Sequence, residues 1–386
     1  MPARAYLDFR RGAPGNEAVR FGGRVKLFRS HLLILVLPAC ASIGWAVWRP
    51  SELFLAAAES AMAGARSVPA RVLPVPQDVS QALQALIRAP YPRGALTSLN
   101  GTAKKSGAIR AAADPGMSRT LAALRETLGV SVAPMIISGV NSWLVTPNRL
   151  TIANRNRLLI HVHGGGYVGG GGEAATAEAI MMAGLGGYKV ICVDYRLPPA
   201  FPFPAALDDV LTVWRALLRS ESAKRMAIFG SSAGGGLALA AVLRAKDQGL
   251  PLPAAVSAAT PWSDLNKIGD SYFTNEFVDN TLLSWDAGLS AAAQLYAKGH
   301  DLKDPYLSPV YGNFENFPPT ILTTGTRDLF LSNTIRVHRK MRRAGVLADL
   351  NVYEGMSHAQ FGGPEVPEAR EIFQAIGRFF DRRLAR

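Results

Sequence analysis

The chain has 386 residues, 48% of them hydrophobic and only 18% charged, which is ample for one large core or two small ones and too apolar for general disorder. Its formal net charge is +13 and its pI is about 10.0, yet Lys and Arg are scattered, with no dense basic block interleaved with aromatics. That pattern argues against a nucleic-acid partner and leaves a general attraction to anionic surfaces. The two cysteines are Cys40 and Cys192, and no C-x-x-C or H-E-x-x-H spacing occurs, so neither a metal nor another cofactor is expected.

In chain order, residues 1–31 carry Arg4, Arg10, Arg11, Arg20, Arg24, Lys26 and Arg29 against Asp8 and Glu17. Leu32 to Trp48, LLILVLPACASIGWAVW, then holds no charge. A basic segment followed by an apolar run and small residues is the pattern of an export signal or a signal anchor. Residues 1–66 are therefore read as a basic segment plus signal peptide or membrane anchor, so that export is expected, either with the segment cleaved or with the chain held at the membrane through 32–48. A Pro-rich linker, SVPARVLPVPQDVS, begins at Ser67 and opens the main domain, 67–386. Helix-like stretches follow near 78–88 and 114–128.

Beyond Ser142 the pattern alternates. Short β-rich runs appear at SWLVTP, LLIHVHG, YKVICVDY, MAIFGS, AAVSAATPW, PTILTTGT and ADLNVYEG. Helical patterns lie near 174–186, 205–219, 233–248, 332–345 and 367–384. Strand–helix alternation with strands apolar on both faces indicates an α/β fold, a mostly parallel sheet covered on both sides. The stretch 264–316 breaks the rhythm and carries Phe273, Phe277, Trp285 and Tyr296; an insertion of that length reads as a lid.

The run MAIFGSSAGGGLALAAVLRA sets Gly230-Ser231-Ser232-Ala233-Gly234 between a strand and a strong helix pattern. G-x-S-x-G in that setting is a nucleophile elbow: the turn is so sharp that Gly230 and Gly234 must let backbones pass, and Ser232 Oγ is lifted clear at a helix N-terminus. A serine hydroxyl needs a base, and the base an orienting carboxylate, each on a loop after a later strand. Of six histidines, His358 follows the last strand. His300 and His338 read as surface residues, His31 belongs to the N-terminal segment, and His161 reads as a core residue. Asp328 follows the preceding strand, a position that favours it over Asp264 and Glu354.

The stretch LLIHVHGGGYVGGGG contains Gly164-x-Gly166-x-x-Gly169, a dinucleotide fingerprint, with Asp194 at the end of the next apolar run. A dinucleotide site needs a helix starting at the third glycine, but Gly169–Gly172 is a glycine run costing roughly 1 kcal/mol per residue against alanine in a helix. The alternative is a set of N–H donors for the oxyanion of a tetrahedral intermediate, one from Ala233 and others from HGGG at 163–166. Ser232, Asp328 and His358 downstream decide for that alternative. Gly169–Gly172 is then expected to be a flexible flank of the pocket.

HGGGY, VDYRLPPAFPFPAALDD, FGSSAGGG, TPWSD, GTRDLFLSN and EGMSHAQF together resemble the bacterial hormone-sensitive-lipase-like branch of the α/β-hydrolases, from about Ser67 to the C-terminus. The last two motifs are similar to those of monoterpene ε-lactone hydrolases. The resemblance implies an α/β-hydrolase fold with a central sheet of about eight strands and a helical cap from about 67–130 and 264–316. It implies hydrolysis of short to medium acyl esters or lactones, with Ser232, Asp328 and His358 as triad. Gly165, Gly166 and Ala233 would form the oxyanion hole, and His163, Gly164, Gly230 and Gly234 would support it. The chain departs from the branch at Ser231, where an acidic residue is usual, at Leu329-Phe330 after Asp328, and at Ala200. A non-catalytic binding module on the same fold is the alternative, but such relatives commonly lose a triad residue, and here none is missing.

Overall fold

The computed structural model describes residues 65–66, 68–70, 72–91 and 115–385. The expected export signal or anchor at 32–48 lies outside the described residues, as does 92–114 of the expected cap. Among the described residues no helix is long and apolar enough to cross a membrane. The unit considered below is Arg71–Arg386.

Eight strands form one sheet: β1 (Val130–Ile137), β2 (Val140–Pro147), β3 (Leu158–Val162), β4 (Lys189–Val193), β5 (Met226–Ser231), β6 (Ala255–Ala259), β7 (Thr320–Gly325) and β8 (Ala348–Tyr353). Their order is β1-β2-β4-β3-β5-β6-β7-β8. From β4 to β8 every neighbouring pair is parallel, while β1 and β2 form an antiparallel hairpin laid on the edge of β4. Sequence periodicity finds every strand except β1. That strand lies at the sheet edge, where Pro134 costs no ladder bond from the solvent side, and its burial alternates only weakly. The hairpin turn is Ser138-Gly139, both at positive φ (48° and 85°), which suits the right-handed twist of the flanking strands.

Helices α1 (Gln81–Arg88), α2 (Pro115–Leu128), α3 (Ala177–Gly186), α4 (Ala205–Leu217), α5 (Ala233–Asp247), α6 (Ser290–Ala297), α7 (Leu331–Arg343) and α8 (Pro367–Asp381) surround the sheet. The strands divide their side chains between two cores with a period of two. Leu158, Ile160, Val162, Met226, Ile228, Val256 and Ala258 face α4, α5 and α7. Leu159, Val190, Cys192, Ala227 and Phe229 face α1, α2, α3 and α8. Buried on both faces, these strands read in sequence as near-continuous apolar runs.

The insertion 264–316 carries α6 and an aromatic cluster. Trp285 and Tyr296 are buried, Trp285 edge-on to Trp262 and Tyr272, and Tyr296 stacked on Tyr167. Phe273 and Phe277 are exposed. The insertion is bonded to the C-terminal end of α1: Asn280 Nδ2 donates to the Leu86 and Ala89 carbonyls (2.8 and 2.9 Å). Ser80 in turn caps α1 through its Oγ, which also donates to Glu368 at the start of α8 (2.6 Å).

Candidate active site

In a parallel sheet the loops at the carboxyl ends of the strands share one edge, and residues distant in sequence converge there. The loop after β3 holds His163–Gly172, the β5–α5 turn holds Ser232, the β7–α7 loop holds Asp328, and the loop after β8 holds His358.

Ser232 has φ 56° and ψ −127°, a conformation a non-glycine residue adopts only where its surroundings impose it. Three bonds impose it here. Its N–H donates to Ala259 O (2.9 Å), and its carbonyl accepts from Trp262 N (2.9 Å) and Gly236 N (3.1 Å). The flanking glycines have no room for a side chain, since a Cβ at Gly230 would collide with Val162 O and one at Gly234 with Val162 O and His163 O. Ala233 is the first residue of α5, so its N–H has no intrahelical acceptor.

The glycine loop lies against this turn: a Cβ placed on Gly164 would stand 3.4 Å from Ser232 Cβ. Gly165 and Gly166 have φ of 109° and 63°, which glycine adopts without steric cost. The second half of the loop is bonded in place, contrary to the expectation of a flexible flank. Val168 and Gly169 donate to Gly165 O (3.1 and 3.0 Å), and Gly172 N donates to Asp194 Oδ1 (2.8 Å). Asp194, the acid of the apparent dinucleotide fingerprint, thus holds the glycine loop. Residues Gly172–Thr176 then turn as a short 3-10 helix into α3.

His163 is buried, stacked on Tyr195 (centroids 3.9 Å apart), and its Nδ1–H donates to Gly164 O (2.8 Å). Burial pushes its pKa from 6.5 down to about 3, because a protonated ring would leave a charge in an apolar site. Acidification therefore works against the fold: stability from the neutral ring is complete above pH 6.5 and is lost as pH falls toward about 3. In His163→Asn the fall in Tm between pH 6.5 and 4 should be visibly shallower than in the parent chain, and an unchanged slope would contradict this assignment.

Asp328 is fully buried and its oxygens are all engaged. Oδ1 meets His358 Nδ1 at 2.9 Å and accepts from Phe330 N (2.8 Å), while Oδ2 accepts from Thr324 Oγ1 (2.7 Å). The Asp328–His358 bond fixes the imidazole's tautomer and orientation, leaving Nε2, which has no hydrogen-bond partner among the described residues. The Phe330 ring stands edge-on to His358 (4.9 Å) and stacks on Trp262 (5.4 Å), whose backbone N–H donates to Ser232 O. Ser232, Trp262, Phe330 and His358 are thus linked in one chain of contacts.

The rival candidates are placed elsewhere. Asp264 is paired with Arg336 (2.6 Å), and Glu354 is exposed. His161 is buried between Glu178 Oε2 (3.1 Å) and Cys192 Sγ (3.2 Å), and His338 bonds Ala348 O (3.2 Å). His300 is exposed, with its ring edge-on to Phe203. Glu178 also resolves the departure at Ser231, whose Oγ donates to Glu178 Oε2 (2.7 Å). A carboxylate from α3 thus stands behind the turn, bonded to Ser231. Sequence reasoning missed Glu178, Thr324, Asn275 and Asp279, although each lies in a segment noted in the sequence.

Strand order, a strained serine after β5, a glycine loop after β3 and an acid–histidine pair after β7 and β8 define a class. The chain belongs to the α/β-hydrolase fold family, which residues 159–362, just over half of it, match. It is 31% identical over 225 residues to an acetyl-hydrolase of Streptomyces hygroscopicus, covering 58% of this chain and 75% of the relative. A crystal structure of an esterase superposes with TM-score 0.79 at 40% identity over 83% of this chain and 100% of that one. An esterase of the bacterial hormone-sensitive lipase family superposes with TM-score 0.64 at 27% identity, covering 79% and 99%. The chain is accordingly a hormone-sensitive-lipase-like esterase, a carboxylic ester hydrolase acting on small-molecule esters.

Proposed function

We propose that the chain is a serine hydrolase that cleaves short to medium acyl esters or lactones through an acyl-enzyme. The observation that carries this reading is the buried Asp328–His358 bond, with His358 Nε2 left without a hydrogen-bond partner among the described residues and Ser232 held at the strained turn. In the first step His358 Nε2 takes the proton from Ser232 Oγ as the oxygen attacks the ester carbonyl. Asp328 stabilises the imidazolium that forms, and the N–H groups of Gly165, Gly166 and Ala233 hold the oxyanion. His358 then gives its proton to the leaving alkoxide, and water repeats the sequence on the acylated Ser232. With a lactone the leaving alcohol stays attached to the acyl chain.

The acetyl-hydrolase relative supports the short end of the acyl range. A panel of p-nitrophenyl esters from acetate to decanoate, run beside ε-lactones, tests the reading. Activity that is highest on the short esters supports it; turnover of none of these compounds by the folded chain overturns it. Export rests on the pattern of residues 1–48 alone. The full-length chain in the membrane or an exported fraction supports that expectation, and the same chain wholly in the cytoplasmic fraction overturns it.

A further inference from the structure

The insertion makes a set of contacts with the site that the proposed chemistry does not use. Asp279 lies in it, fully buried, with both carboxylate oxygens accepting from backbone N–H groups. Oδ1 accepts from Thr281 N (2.8 Å) and Leu282 N (3.0 Å), which closes its own loop. Oδ2 accepts from Leu329 N (2.8 Å) and from the backbone N–H of His358 (3.3 Å). Leu329 directly follows Asp328, so one oxygen spans the loop that carries the acid and the loop that carries the base.

We propose that Asp279 is a positioning residue: its carboxylate holds the Asp328 and His358 loops in register with each other. This rests on the reading of Asp328 and His358 as acid and base. Four N–H donors converging on one side chain call for a group that accepts at both oxygens and donates at neither, which a carboxylate is and an amide is not. The choice is otherwise costly, because burial raises the pKa of Asp279 against the opposing pull of His358. A second buried carboxylate beside the first is a poor solution for packing and a good one for geometry.

Neighbouring residues tie the same strap to the same two loops. Asn275 Nδ2 donates to Thr326 O (3.1 Å) and Asp328 O (2.8 Å). On the other side, Gln360 Nε2 donates to Asn280 Oδ1 (2.7 Å), and Gln360 Oε1 accepts from Ser357 N (3.0 Å). The strap thus bonds main chain on both sides of the Asp328–His358 contact. His358 passes a proton in each direction during one turnover, and the imidazole must keep its aim throughout; the relative position of the two loops sets that aim.

The test is Asp279→Asn in the full chain, assayed with p-nitrophenyl acetate and referred to the concentration of natively folded protein from near-UV circular dichroism. An amide must turn one N–H donor toward the backbone N–H groups, so kcat should fall about 10- to 100-fold with KM within about two-fold. In a His358→Ala background the same substitution should cost less than about two-fold, since the group it aims is gone. A merely structural role predicts less folded protein with kcat per folded molecule unchanged, or the same fold-loss in both backgrounds; either result overturns the proposal. Should Asp279→Asn not fold, Asn275→Ala removes the strap's other bonds to the Asp328 loop, at Thr326 O and Asp328 O, and a kcat equal to the parent's overturns it as well. Inactivity of the parent chain on all esters would instead defeat the underlying reading, so the two failures are distinguishable.

Discussion

Replacing Ser232 with alanine should lower kcat on p-nitrophenyl acetate by about 10⁴-fold or more, with the thermal midpoint little changed. Under the proposed chemistry, Ser232 Oγ is the atom that becomes acylated, and no neighbouring hydroxyl can replace it. Ser231 is turned away, its Oγ committed to Glu178. The turn itself should survive, because what holds it is backbone: the Ser232 N–H on Ala259 O and the Ser232 carbonyl on Trp262 N and Gly236 N. Background hydrolysis assisted by the N–H groups of the glycine loop would remain, as binding and oxyanion stabilisation act without the nucleophile. Steady-state kinetics with the folded variant check this, and a loss under ten-fold would contradict the assignment of Ser232.

The second large effect is on the fold. Gly234→Ala should destabilise the chain by more than about 4 kcal/mol, in the range reserved for steric conflict in a packed interior. Gly234 lies where the first turn of α5 crosses the end of β3, and a methyl group there would collide with Val162 O and come within 2.5 Å of His163 O. Neither atom can retreat cheaply. Val162 belongs to a central strand paired on both sides, and His163 begins the glycine loop and accepts a bond from Tyr195 Oη (2.8 Å). Urea unfolding of the variant, or its failure to accumulate as folded protein, measures the effect. A cost below about 1 kcal/mol would show that the crossing has slack.

Much of the fold was legible because its strands are buried on both faces and announce themselves as apolar runs between helical patterns. β1 was not, because an edge strand with one wet face and a central Pro134 carries neither a continuous apolar run nor clean alternation. The turn at Ser232 was legible from its glycines, whose need is steric and local. Asp328 and His358 could be nominated by position, as each lies on the loop after a late strand. Asp279 could not: the two bonds that tie it to the site are to backbone N–H groups 50 and 79 residues away in sequence, and backbone leaves no signature in the chain. The same holds for Glu178, whose partners on β3 and β5 are brought near only by the sheet order.

The central claim is that Ser232 is the nucleophile, and covalent capture tests it most directly. The folded chain treated with a fluorophosphonate should gain one adduct by intact mass, and peptide mapping should place it on Ser232. Labelling should vanish in Ser232→Ala. An active chain that takes up no label, or a Ser232→Ala variant that labels as fast as its parent, would contradict the account.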